Sequence, residues 1–396
     1  MDFGFSEKEQ TLRSELKEFA RTELPPDWRG GGYAEEYGDD YSWEVAQRTS
    51  KKLSQRGWLT MAWPKEYGGL AATHTEYLIY REEMAYNLVP GADMGVGGVS
   101  WIGQSLILFG SEEQKKKHLS GISAGETYWC TGYSEPEAGS DLAALKCRAV
   151  RKGEEYIING QKVWTSAAHR ASWCWLGVRT DIDAPRHKGI SVFLVDMKTP
   201  GVTVNPLINL ADCPENSEVF FDDVHIPADS LVGEENQGWK VIMTALSFER
   251  TAGIDFLGRN RRLVDELIKY TSETRRNGKT LNQDAIVRHR LAEFAIECEV
   301  GRLMCYNIAS MEDKGLIPDY QASMGKNFCA ELGQRLSNAG LGMMGLYGQM
   351  GSVSEAPIRG MVQTVYLFSV GDTIGAGTSE INRNVIATRG LGLPRN

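Results

Sequence analysis

From Phe5 to about Ser120 apolar residues return every three or four positions, the spacing of one helix face. EQTLRSELKEFARTEL puts Leu12, Leu16 and Phe19 on such a face, and TEYLIYREEMAY continues the pattern. WPKEYGG, Trp63 to Gly69, breaks it as a loop marked by proline and glycine. Near Thr127 the period changes to that of strands. GEEYIINGQKVWTSA carries Asn159-Gly160 between two apolar runs, the strongest short-range hairpin signal, and KGISVFLVDM and SEVFFDDVHIP read as further strands. From Gly238 helices return in GWKVIMTALSFERTAGIDFLGRNRRLVDELIKY, AIVRHRLAEFAIECEVGRLMCYNIASM, SMGKNFCAELGQRLSNA and a last one from Glu380. The predicted order is a helical domain over 1–126, a compact β domain over 127–232 and an antiparallel four-helix bundle over 233–396.

The length of 396 residues suits two or three domains rather than one core. No run approaches the roughly 20 apolar residues of a membrane span. The start, MDFGFSEKEQTLRSELKEF, is amphipathic and acidic, without the basic and apolar segments of a secretory signal, so the expected compartment is the cytoplasm. A net charge of −9 argues against a nucleic-acid surface. The seven cysteines include no C-x-x-C and read as reduced, buried small hydrophobes. The six histidines are scattered, so no metal site is expected.

Gly340-Leu341-Gly342-Met343-Met344-Gly345 matches G-x-G-x-x-G, but that fingerprint works only at a strand-to-helix turn. Its surroundings are helical, and a helix-ending glycine turn is the better reading. The loop YWCTGYSEPEAGSD is more informative, because Ser134, Gly139 and Ser140 offer hydroxyl and backbone donors while Pro136 stiffens it. In VWTSAAHR, Trp164 adds an aromatic plane and Ser166 a donor, together suiting a flat, polar-edged cofactor. Trp239, Ile242, Leu246, Glu249, Gly253 and Phe256 follow steps of three and four, which makes Glu249 the single charge on an apolar stripe. Two readings stay open: a desolvated general base, or a carboxylate paired with Arg250 or a neighbouring helix.

TGYSEPEAGSDLAALK, INGQKVWTS, FFDDVHIPADSLVGEENQGW and GAGTSEI, in that order, resemble the acyl-CoA dehydrogenase family over essentially the full chain. The resemblance implies an N-terminal α-helical domain, a middle β-barrel domain and a C-terminal four-helix bundle. It implies FAD, with Tyr133, Ser134, Gly139, Ser140, Trp164 and Ser166 facing the flavin and Gly377, Thr378 and Glu380 lying against the cofactor from the last helix. Ser140 would also touch the pantetheine of coenzyme A, and Arg250 is a further substrate-binding candidate.

Most members carry a glutamate base where this chain has Ala376. The isovaleryl-CoA branch and some long-chain members place the base instead at the position matching Glu249, before an arginine, and SFERTAG has that arrangement. The resemblance therefore assigns the α-proton to Glu249 and polarisation of the thioester carbonyl to the Ala376 N–H and a flavin ribityl hydroxyl. The usual R-x-x-F-G segment, which reaches a neighbouring subunit's FAD, is absent from TRRNGKTLNQDAIVRHRLAE, where Arg275 or Arg276 would have to substitute, and SNAGLGMMG blurs a second inter-subunit segment. Both departures resemble members of steroid and alicyclic acid breakdown, some of them heterotetramers. The rival expectations are a subunit active only with a partner, a same-fold oxidase, and a non-enzymatic scaffold. An electron-transferring flavoprotein is the expected electron acceptor, in a homotetramer or heterotetramer. Gly91, Gly95, Gly97, Gly98 and Gly253 either remove bulk from an acyl pocket, favouring a branched or cyclic acyl group, or serve turns and close packing.

Overall fold

The computed structural model describes residues 4–26, 28, 38–95, 97–248, 253–351 and 355–394. The chain forms two compact units: Met1–Tyr33, Ala72–Val89 and Arg250–Asn396 make one, Ala34–Ala71 and Pro90–Glu249 the other.

The first unit is helical. Ser6 and Glu9 form a capping box that starts the helix Glu7–Glu23, and Leu16, Phe19 and Ala20 are its buried face. Thr73 and Glu76 do the same for His74–Tyr86. Gly253–Glu273, Ala285–Asp313, Tyr320–Met344 and Met361–Asp372 complete the helical core, followed by the short helix Ser379–Val385. Leu257, Leu267, Phe294, Leu332 and Leu336 pack there with Cys298, Cys305 and Cys329, which behave as the small hydrophobes their spacing suggests. The helix expected from Glu380 is thus only seven residues, and Met361–Asp372 supplies the length. Gly345, at φ 62, ends Tyr320–Met344, so the G-x-G-x-x-G match is a helix terminus.

One carboxylate cross-links this unit. Glu82, 0 % exposed, accepts from Arg13 at 2.7 Å, from the Tyr306 hydroxyl at 2.7 Å, from Arg302 Nε at 3.1 Å and from Arg261. Burial pushes the Glu82 carboxyl up, but Arg13, Tyr306, Arg261 and Arg302 outweigh it and hold it below the usual carboxylate range.

The second unit carries the sheet. Its strands are β1 (Trp129–Gly132), β2 (Arg148–Lys152), β3 (Glu155–Ser166), β4 (Trp173–Arg179), β5 (Ile190–Asp196), β6 (Val202–Leu207), β7 (Asn216–Pro227) and β8 (Leu231–Val232). They pair in the order β6-β7-β3-β2-β4-β5-β8, with β1 parallel to β4. Ile158, Leu176, Val178, Phe193 and Val219 fill one core with Cys130, Cys147 and Cys174. The helices of this unit include Asp40–Gln55, Glu112–Ser123 and Gly238–Phe248.

The hairpin expected at Asn159-Gly160 is not there. β3 runs straight through both residues, and the chain reverses instead at Gly153-Glu154, where Lys152 pairs with Glu155. Gly160 sits at a register shift between β3 and β7 with φ 148, and a Cβ there would lie 2.7 Å from Cys147 Cα. The glycine serves a bulge and a close strand approach rather than a turn. Asn159 satisfies itself sideways, donating to Asp223 Oδ1 at 2.9 Å and accepting the Asp223 N–H at 3.0 Å.

Candidate active site

In the sheet unit, the loop after β1 is braced from within. Lys162 on β3 is 0 % exposed and donates to Glu135 Oε1 at 2.8 Å and to the Tyr133 carbonyl at 3.0 Å. Glu135 also accepts the N–H groups of Lys146, at 2.6 Å, and Cys147, at 2.9 Å. The Val163 N–H donates to the Ser134 carbonyl at 2.9 Å, and Glu135 and Ala138 exchange backbone bonds across Pro136. A buried charge pair with its remaining valences met by backbone groups makes a rigid anchor. Tyr133 is fixed further by the Trp175 indole N–H, which donates to its hydroxyl at 2.8 Å, and by the Trp101 ring 6.1 Å away. Beyond Pro136 the loop opens: Gly139 and Ser140 are exposed, and a Cβ on Gly139 would meet nothing within 4 Å.

Trp164 lies at the second β3 irregularity, between Lys162 and Thr165, with φ 59. A left-handed tryptophan is an outlier that a bulge imposes, and the effect is to turn its ring outward. The indole is 65 % exposed, an open aromatic plane of the kind a flat ring requires. The Ser166 hydroxyl donates to Asn216 Oδ1 at 2.8 Å, so its proton is already committed and it offers a ligand its lone pairs.

In the helical unit, Ala376 at φ 52 and Gly377 at φ 81 form consecutive left-handed residues. For alanine that conformation costs roughly 1–2 kcal/mol, and the surroundings hold it. Lys326, 5 % exposed, donates to the Gly377 carbonyl at 2.9 Å, and Asn382 Nδ2 donates to the same oxygen at 2.8 Å. Thr378 is the N-cap of Ser379–Val385, its hydroxyl accepting the Ile381 N–H at 3.2 Å. Backbone N–H groups at this helix start, then the Thr378 hydroxyl, hold the Glu380 carboxyl below its usual range. Among the described residues the exposed Ala376 N–H has no backbone acceptor. A cleft of about 420 Å³ opens beside the loop, lined by Thr373, Thr378, Glu380, Gln334, Arg335 and Arg383. The hydroxyl and backbone groups of this loop, and the open Trp164 plane of the sheet unit, are the residue types that a flat, polar-edged cofactor such as FAD requires.

Glu249 and Arg250 lie outside the described residues. The helix leading to them, Gly238–Phe248, buries Val241, Ile242 and Ala245, while Trp239 and Leu246 are half-buried. Arg275 donates to the Gly278 carbonyl of its own turn and Arg276 to the Met343 carbonyl. The glycines proposed to widen a pocket are filled: a Cβ on Gly97 would lie 1.8 Å from Trp101 Nε1, on Gly95 2.3 Å from the Trp129 carbonyl oxygen, and on Gly91 2.3 Å from the Ala46 carbonyl oxygen. They serve tight turns and close packing. Three residues of the site escaped sequence reasoning. Lys162 follows Tyr156, Ile158 and Gly160 at alternate positions, which marks it as inward-facing, and Glu135 is its partner. Lys326 shares a helical row with Ala322, Cys329, Ala330 and Gly333.

Three family models match the chain in sequence: the N-terminal domain of acyl-CoA dehydrogenase over residues 6–126, its middle domain over 130–224 and its C-terminal domain over 236–391. Acyl-CoA dehydrogenase FadE29 of Mycobacterium tuberculosis is 33% identical over 395 residues, 100% of this chain and 99% of that protein. Acyl-CoA dehydrogenase IpdE1 of the same organism is 35% identical over 354 residues, 89% of each. Among solved structures, the Tcur3481-Tcur3483 steroid ACAD superposes with a TM-score of 0.90 at 31% identity, covering 100% of both chains. The ChsE4-ChsE5 complex from Mycobacterium tuberculosis gives the same score, identity and coverage.

Proposed function

The chain belongs to the acyl-CoA dehydrogenase family, and we propose that it catalyses FAD-dependent α,β-dehydrogenation of an acyl-CoA thioester with a branched or cyclic acyl group. The substrate loses a proton from Cα and a hydride from Cβ. The flavin, when bound, supplies the hydride acceptor. Tyr133, Ser134, Gly139, Ser140, Trp164 and Ser166, with Gly377, Thr378 and Glu380, hold the cofactor; Ser140 and Arg250 also contact the substrate.

The observation that carries this reading is the turn at Ala376. On an exposed residue, it offers a backbone N–H that has no backbone acceptor among the described residues, and no side chain able to take a proton. Such a donor suits the thioester oxygen, whose charge grows as Cα is deprotonated, and the base is then Glu249. Likeness to the Tcur3481-Tcur3483 steroid ACAD supports a cyclic substrate. The test is flavin bleaching by a panel of straight, branched and alicyclic acyl-CoA thioesters. Glu249→Gln is expected to slow it by about 10²–10⁴-fold. Bleaching at the unaltered rate removes Glu249 from the mechanism.

A second reading, a subunit that works only beside an unlike partner, is favoured by the two-name complexes among the structural relatives and by Arg275 and Arg276 bonding within their own unit. Expressed alone, a yellow homotetramer with turnover supports self-sufficiency; colourless or inactive protein supports the mixed assembly. Electron-transferring flavoprotein is the proposed acceptor, and rapid aerobic peroxide formation would replace it with oxygen.

A further inference from the structure

Ala322, Cys329, Ala330 and Gly333 form a buried row on the helix Tyr320–Met344, and Lys326 stands in the same row. An ammonium group there gives up hydration that an apolar side chain of the same length would not. Among the groups it acquires is the Gly377 carbonyl at 2.9 Å, an oxygen it shares with Asn382. One residue further along the helix, Asn327 donates to the Ser379 carbonyl at 3.1 Å. Successive residues of one helix thus grip one carbonyl of the turn at Ala376–Gly377 and one at the start of the helix that follows it. The loop's left-handed pair would otherwise relax toward ordinary backbone angles, swinging the Ala376 N–H away.

We infer that Lys326 is a positioning residue: by holding the Gly377 carbonyl it keeps the Ala376–Gly377 turn left-handed and the Ala376 N–H aimed where a thioester oxygen is polarised. The inference rests on the function proposed above. A donor aimed at an oxygen that gains charge late in the reaction acts on the transition state more than on the bound substrate. Loss of Lys326 therefore lowers kcat far more than it raises KM.

The experiment uses the full chain with its flavin, as Lys326→Met, with Lys326→Gln for use where the apolar variant does not fold and Lys326→Arg as the conservative control. Two readouts are taken. Amide hydrogen exchange at Ser379, whose buried N–H closes the turn by donating to the Thr373 carbonyl at 2.9 Å, reports the turn without any substrate, and is expected to quicken by about tenfold or more in Lys326→Met or Lys326→Gln while the later helix amides stay protected. The pH at which a bound, non-oxidisable 3-thia-acyl-CoA loses its α-proton, read as a long-wavelength absorbance band, reports the polarising N–H. It is expected to rise by about one unit, a tenfold loss of acidity, with substantial restoration in Lys326→Arg. Unaltered exchange at the turn overturns the inference, as does quickened exchange with an unshifted analogue titration. Failure of the unaltered protein to take up any acyl-CoA counts against the proposed function, and the exchange arm still decides whether Lys326 holds the turn.

Discussion

Lys162 Nζ and Glu135 Oε1 meet at 2.8 Å with the side chains 0% and 7% exposed, and the same ammonium holds the Tyr133 carbonyl. Removing one partner leaves a buried charge alone, which typically costs about 3–5 kcal/mol. Lys162→Met and Glu135→Leu are each expected to lower the urea midpoint by that equivalent, while the double variant recovers much of the loss. Flavin content separates packing from positioning. In the double variant the protein folds but holds flavin less tightly, because the Tyr133 carbonyl loses the Lys162 ammonium.

Trp164 contributes little to the fold, being mostly in solvent, and carries the strain of a left-handed bulge. Trp164→Ala is expected to leave the thermal midpoint nearly unaltered while weakening flavin binding by about tenfold, the equivalent of one lost ring contact. Titration of the flavin-free protein with FAD checks it. A tryptophan that only fills space would move stability and affinity together.

His118 lies edge-on to Trp129 and Trp173, with centroids at 5.3 and 4.5 Å, and burial, then the charge of Lys117, pulls its pKa down to about 4. The unfolded chain takes up this proton near pH 6.5 and the native one refuses it until about pH 4, so the contribution is full above 6.5 and drains as pH falls between the two. The loss approaches roughly 3 kcal/mol. Urea melts at pH 4.5 and 7.5 should therefore differ less in His118→Phe than in the unaltered protein. An identical difference in both would show that His118 is not the group titrating.

Gly97, at φ 77, has the Trp101 indole where its side chain would be. Gly97→Ala is expected to destabilise by about 1–3 kcal/mol from overpacking, plus about 1–2 kcal/mol from the backbone. A folded variant with altered acyl-chain selectivity and an undiminished melting temperature would restore the pocket reading of this segment.

Periodicity made the outline legible. Leu16 and Phe19 are buried where a helical face puts them, and the segments over 190–196 and 216–227 are strands as their short runs rich in β-branched and aromatic residues predict. Gly160 misled because asparagine followed by glycine signals a two-residue turn only when no neighbouring segment presses on it, and Cys147, just before β2, does. Lys162 and Lys326 are charges in apolar rows, but the groups they hold lie far off in the chain, the Tyr133 carbonyl and Glu135 carboxylate 29 and 27 residues from Lys162 and the Gly377 carbonyl 51 from Lys326, and such pairings leave no trace in side-chain periodicity. Ala376 was readable as a missing acid; the backbone angles that make its N–H useful were not.

The Glu82 cluster has a consequence for synthesis. Its arginines at 261 and 302 come 179 and 220 residues after Glu82 itself, yet all belong to one packed unit. On a ribosome adding about 5–20 residues per second, the segment 74–86 has Arg13 from the outset but waits roughly 10–45 s for the guanidinium groups of Arg261 and Arg302. During that interval the intervening sheet unit can emerge and fold, while the earliest helices remain without their final neighbours. A chaperone-dependent delay, or a truncated transcript, would thus strike the beginning of this protein through the lateness of its end.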